Sequence, residues 1–228
     1  MEIIKRLNRE LVYKGTVINM YRDTVQVQNG HIAEWDFIGH KGAAAVVPVL
    51  DDGRVLMVKQ YRNALDRMTI EVPAGGRDTT DEPYIACASR ELEEETGLKG
   101  VKGVQLGSYG DYDRDPRTRI ITTAYVFVEE EGKLTATAGD DAAAAGWFSM
   151  KVHRAGEAAD STQQIEKEFY DIEFECGDIR PAARVLVITD RTGLLEKKDY
   201  KIVSSQLIAA DHAAIILNGY DYVSEHIH

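Results

Sequence analysis

The chain begins with alternation. Val17 to Gln28 reads as an extended segment, Asn29-Gly30 is a two-residue hairpin signal, and His31 to Ile38 returns with Ala33, Trp35 and Phe37 on one face. A pair of strands this small is marginal alone and needs something to pack on. Ala43 to Leu50 is then a continuous apolar run, which predicts a buried strand. Asp52-Gly53 turns the chain into a second strand at Val55 to Gln60, and Thr69 to Val72 predicts a third, stopped by Pro73. Ala74-Gly75-Gly76 reads as a loop. Pro83 suits the first position of a helix that runs to about Thr96, where Gly97 provides a left-handed cap.

Farther on, Val104 to Tyr109 and Ile120 to Val128 predict strands around a polar loop, and Trp147 and Phe148 sit in another short strand. Residues 151–205 are harder to read. Glu168 to Cys176 alternates unevenly and Arg184 to Ile188 is β-like, while Ser204 to about Ser224 predicts a closing helix. No repeat or low-complexity linker interrupts the chain.

Composition narrows the class. The 228 residues are 44% hydrophobic and 29% charged, ordinary for a globular chain of one large domain or one domain with an attachment. No apolar run approaches the ~18 residues of a membrane span. The start, Met1 to Glu10, carries charge where a secretory signal needs an apolar core. Cys87 and Cys176 are too few for a disulfide framework, which points to a reducing cytoplasm. With 27 basic and 38 acidic residues the formal charge is −11, unfavourable for nucleic acid.

That charge matters at Gly76 to Leu98, GRDTTDEPYIACASRELEEETGL. Glu91 and Glu95 share a helix face with Glu94 beside them, and like charges four apart repel by about 0.2–0.5 kcal/mol. Near a helix C-terminus the macrodipole disfavours each anion by a further ~0.3–1 kcal/mol. A solvated acidic face is the bland alternative, yet such faces usually interleave lysines and this one does not. A hard divalent cation turns both penalties into attraction, and carboxylate oxygens suit Mg²⁺ or Mn²⁺.

The stretch resembles the Nudix box, Gly-x5-Glu-x7-Arg-Glu-U-x-Glu-Glu-x-Gly-U with U aliphatic. Gly76, Glu82, Arg90, Glu91, Leu92, Glu94, Glu95, Gly97 and Leu98 fill every fixed position. The resemblance implies an α/β fold, a Nudix-type α/β/α sandwich with a mixed sheet, and cleavage of a nucleoside diphosphate linked to another moiety. It implies Glu91 and Glu95 as the principal Mg²⁺ ligands, Glu94 as a ligand or water contact, and the Gly75 carbonyl completing the shell. Arg90 then holds the glutamates, and Glu82 supports.

Upstream, TVINMYRDTVQVQNG, WDFIGHKGAAAVVPV, VLMVKQYRNAL and TIEVPAGG look like bacterial ADP-ribose pyrophosphatases. That resemblance implies hydrolysis of ADP-ribose to AMP and ribose 5-phosphate. It also implies a homodimer built through an N-terminal antiparallel unit of residues 1–40, ahead of a hydrolase domain at 41–228 with an insertion at about 151–205. Trp35 and Phe37 are candidates to stack on adenine, or else are core aromatics. Arg62 is a candidate contact to the substrate diphosphate or ribose, or else a surface ion pair. Arg114 and Arg117, flanking Asp115-Pro116, resemble a signature of ADP-ribose-handling Nudix proteins, or else form a charged hairpin. Where the resemblance places a catalytic glutamate this chain has Ala144, which leaves Asp140 or Asp141 for the base, or the box itself through Glu94 and Glu95. On the closing helix, His212 reads as a structural hydrogen bonder rather than a ligand.

Two other readings compete. One is a Nudix hydrolase of another nucleotide sugar or dinucleotide. The other is an ADP-ribose-sensing transcriptional regulator, which the acidic balance of residues 151–228, nine basic against fourteen acidic, disfavours. No nucleic-acid or membrane partner is expected.

Overall fold

The computed structural model describes residues 4–16, 18–100, 102–111, 120–129, 144–209 and 211–226. The chain divides into two compact units, Met1–Gly42 and Ala43–His228.

The first unit is an antiparallel sheet of β1 (Lys5–Lys14), β2 (Asn19–Gln26) and β3 (Ile32–Gly39), in that order. Gly30, at φ 77°, makes the β2–β3 turn that an ordinary residue resists. Tyr21 lies opposite Phe37 and Asp23 opposite Trp35. Asp23 is buried, and Arg9 from β1 binds it through two 2.6 Å hydrogen bonds while its guanidinium covers the Phe37 ring at 4.1 Å. Within the single chain, Trp35 and Phe37 are 47% and 42% exposed. They are therefore not core aromatics of this unit.

The second unit is organised by β4 (Ala43–Leu50), whose run without charge lets both faces be covered. Beside it lie β5 (Val55–Arg62) and β9 (Thr122–Glu129), and beyond β9 lies β8 (Gly103–Tyr109). β4 and β9 are parallel and the other pairings are antiparallel, so the sheet is mixed. Short β6 (Arg67–Glu71) pairs with β5, and β7 (Ala74–Gly76) pairs with β4. Ala44 and Val46 pack with Leu56, Phe127 and α1 (Tyr84–Thr96). Ala45, Val47 and Val49 point the other way and pack with Val126 and α2 (His212–His226). One helix on each face gives an α/β/α sandwich.

Residues beyond Ala144 form a meander: β10 (Ala144–Glu157), β11 (Ile165–Glu175), β12 (Ala182–Asp190) and β13 (Lys197–Gln206). It extends the same sheet outward from β5. Its inner face buries Ile172, Phe174, Val185 and Val187, and its outer face carries cross-strand pairs such as Arg184–Asp171.

Three local expectations change. Ala74–Gly76 is a strand rather than a loop, because β4 offers it a ladder at Ala43–Ala45. Trp147 and Phe148 belong to a fourteen-residue strand, not a short one. The closing helix starts at His212, not near Ser204, because Ser204 to Gln206 still pair with β12.

Candidate metal and phosphate site

α1 begins where Pro83, in extended conformation, ends a tight turn; Glu82 accepts from the Asp78 N–H at 2.6 Å and its own N–H donates to Thr79 Oγ1. It ends at Gly97, φ 74°, whose N–H closes on the Glu93 carbonyl. The stripe it buries holds Cys87, Ala88, Glu91, Leu92, Glu95 and Thr96. Helical spacing thus sends two carboxylates inward with the apolar residues, at 8% and 5% exposure.

Arg90 organises the acids around itself. Its guanidinium donates to Glu82 (3.1 Å), Glu91 (2.7 Å), Glu94 (3.1 Å) and the Gly76 carbonyl (2.9 Å). The Arg90 hydrogen bond holds the Glu82 carboxyl below its ordinary value. Glu91 lies against Gly75, where any Cβ would collide with its carboxylate. The Ala74 N–H donates to Glu95 Oε2 at 3.2 Å. Burial pushes the Glu91 carboxyl up despite Arg90. Burial, with the nearby Glu91 charge, pushes Glu95 to about 8 even though the Ala74 hydrogen bond opposes it.

Two inward carboxylates, a third at the surface and the carbonyl-rich Ala74–Gly76 strand form an all-oxygen set of the type hard divalent cations take. Among the described residues no three acidic, histidine or cysteine side chains converge on one point, and Glu91 and Glu94 are both hydrogen-bonded to Arg90. The donor chemistry nonetheless fits a divalent cation. A buried carboxylate held near pH 8 sits in a position that added positive charge relieves.

Arg62 does not make a simple surface ion pair. It grips Glu71 with Nε at 2.6 Å and with Nη2. Glu71 is 1% exposed and also accepts from Thr69 Oγ1 at 2.5 Å. Burial pushes the Glu71 carboxyl up, but Arg62, His212 and Thr69 outweigh it and hold it below its ordinary value. The Arg62–Glu71 pair also acts electrostatically on Glu95. Sequence reasoning missed Glu71 and saw in His212 only a structural hydrogen bonder. The two sit 141 positions apart, and no local pattern joins them.

Of the remaining candidates, Trp35 and Phe37 lie in the first unit. Arg114, Arg117, Asp140 and Asp141 lie outside the described residues.

A family model described as NUDIX domain matches residues 39–170, more than half of the chain. The chain belongs to the Nudix family. Similar curated Nudix-region relatives include an ADP-ribose pyrophosphatase of Bacillus subtilis, 38% identical over 105 residues, covering 46% of this chain and 56% of that protein. An ADP-ribose pyrophosphatase of Mycobacterium tuberculosis is 38% identical over 93 residues, covering 41% and 45%. The chain spans about half the length of these relatives. Among solved structures, a MutT/nudix family protein from Enterococcus faecalis superposes with a TM-score of 0.55 at 23% identity, over 82% of this chain and 64% of that one. The Nudix fold is therefore shared. Nudix hydrolases generally use divalent metal ions, which agrees with the oxygen-donor set around α1.

Proposed function

We propose that this Nudix protein is a Mg²⁺-dependent pyrophosphohydrolase that cleaves ADP-ribose to AMP and ribose 5-phosphate, with Mn²⁺ as an alternative ion. The observation that carries the reading is the pair Glu91 and Glu95, buried against Gly75 and Ala74 at the end of a complete Nudix box. The named activity of the two bacterial relatives supports the substrate.

In this reading Glu91, Glu95, Glu94 and the Gly75 carbonyl hold the cation. The chemistry such an ion would supply is neutralisation of charge on the phosphoryl oxygens and activation of water. Gly75 leaves room for the Glu91 carboxylate, and Arg90 fixes three carboxylates at once. Proton removal from water falls to Glu94 or Glu95 in the box, or to Asp140 or Asp141. Arg62, Arg114 and Arg117 are the arginines assigned to the substrate's diphosphate and ribose, since guanidinium forks suit phosphate oxygens.

We assign Trp35 and Phe37 to adenine stacking and the first unit to a homodimer. The support is its exposed apolar side chains, Leu7, Leu11, Trp35 and Phe37 among them, on a sheet of three strands. The free thiols Cys87 and Cys176 suit a cytoplasmic setting.

A panel of ADP-ribose, other nucleotide sugars, NADH, FAD and diadenosine polyphosphates, with and without Mg²⁺, tests the assignment. ADP-ribose should be turned over best, and only with metal. A tenfold preference for another nucleotide would replace the substrate and leave the Nudix chemistry standing.

A further inference from the structure

A buried hydrogen bond ties α2 to the Val72–Pro73 link between β6 and β7, which leads into the metal site, and neither metal nor substrate binding explains it. β6 uses its outer edge twice: the Ile70 N–H donates to the Leu207 carbonyl at 2.7 Å, and the Ile70 carbonyl accepts from the Ala209 N–H at 3.2 Å. The next outward donor is the Val72 N–H. In a continued ladder its acceptor would be the Ala209 carbonyl, but that carbonyl accepts from the His212 N–H at 3.1 Å. The acceptor is instead a side chain, His212 Nδ1, at 3.1 Å. With Nδ1 accepting, the neutral ring carries its proton on Nε2, which faces Glu71 Oε2 at 3.9 Å.

The backbone after Val72 is stiff. Pro73 fixes its own φ and its carbonyl accepts from the Val46 N–H at 2.9 Å. Ala74 comes next, and its N–H is the donor that orients Glu95 at 3.2 Å. Gly75 lies beyond it, against Glu91. A single rigid tripeptide therefore separates the His212 hydrogen bond from the Glu95 hydrogen bond.

We infer that His212 is a positioning residue for the metal site, acting through Val72–Pro73–Ala74 on Glu95. It lies beyond the stretch that the family model matches, on the helix that follows the meander. The inference rests on the assignment of Glu91 and Glu95 to a metal ion. Groups that orient metal ligands typically contribute about 10–100-fold in metal affinity.

The test is Mn²⁺ binding to the full chain without substrate, monitored by electron paramagnetic resonance of the free ion, on wild type and three variants. His212→Ala should weaken Mn²⁺ binding about tenfold or more. At saturating metal its KM for ADP-ribose should stay within about twofold, because no substrate contact is removed. His212→Asn, whose Oδ1 takes the place of Nδ1, should recover affinity to within about threefold of wild type, whereas His212→Gln, whose amide reaches only the Nε2 position, should not. An alanine variant with wild-type Mn²⁺ affinity and merely lower stability overturns the inference. So does a folded asparagine variant as weak as the glutamine one, a comparison that holds even if alanine fails to fold. Wild type that binds no Mn²⁺ overturns the metal-site assignment and this inference with it.

Discussion

Replacing Glu95 by glutamine separates the cost of the metal site from its use. The side chain is 5% exposed, and glutamine keeps its volume and an oxygen for the Ala74 N–H. Without metal, burial and the Glu91 charge hold the Glu95 carboxyl near 8, against an ordinary 4.5. The folded state then binds a proton that the unfolded state has released. Its contribution to stability is fully present below about pH 4.5 and is lost as pH rises toward 8. At about 1.4 kcal/mol per pH unit, that interval sets an upper bound of roughly 5 kcal/mol, which local relaxation reduces to about 2–4. Glutamine does not titrate. In EDTA, Glu95→Gln should match wild type within about 1 kcal/mol at pH 5 and exceed it by about 2–4 kcal/mol at pH 9. Urea unfolding at both pH values measures this directly. Mg²⁺ should reverse the order by stabilising wild type alone, and kcat should fall by orders of magnitude in the variant. Equal stability at pH 9 in EDTA would refute the claim that the fold bears an uncompensated carboxylate for catalysis.

The same geometry sets three further expectations. Gly75→Ala should abolish metal-dependent turnover, because its Cβ takes the place of the Glu91 carboxylate; Mn²⁺ titration checks this, and wild-type affinity contradicts it. Arg62→Ala should destabilise the protein by about 3–5 kcal/mol by stranding the Glu71 charge, whereas the paired Arg62→Met, Glu71→Leu change should cost far less; chemical denaturation of both distinguishes this from loss of a substrate contact alone. Metal binding at pH 7 should release close to one proton, falling toward none above pH 9, because Glu95 is already ionised there; calorimetry in buffers of different ionisation enthalpy reads the number.

Sequence reading was strongest where the physics is local. The limits of α1 follow from Pro83 and Gly97, and its acids follow from fixed spacing along one helix. β4 was readable because a strand covered on both faces has no need of polar alternation. Readings failed where a partner strand decides. Ala74–Gly76 has little intrinsic strand preference and becomes one only against Ala43–Ala45. The meander was obscured by its charged outer face, where pairs such as Arg184–Asp171 interrupt the apolar pattern. The Arg62–Glu71–His212 network was invisible for a different reason. Its members come from β5, β6 and α2, and only the folded sheet brings them together.

The most direct measurement of the central claim is separation of the products formed from ADP-ribose by wild type and by Glu95→Gln, each with Mg²⁺ and with EDTA. Wild type with Mg²⁺ should give AMP and ribose 5-phosphate in equal amounts, and the other three conditions almost none. Equal turnover by Glu95→Gln, or turnover by wild type that persists in EDTA, would contradict that claim.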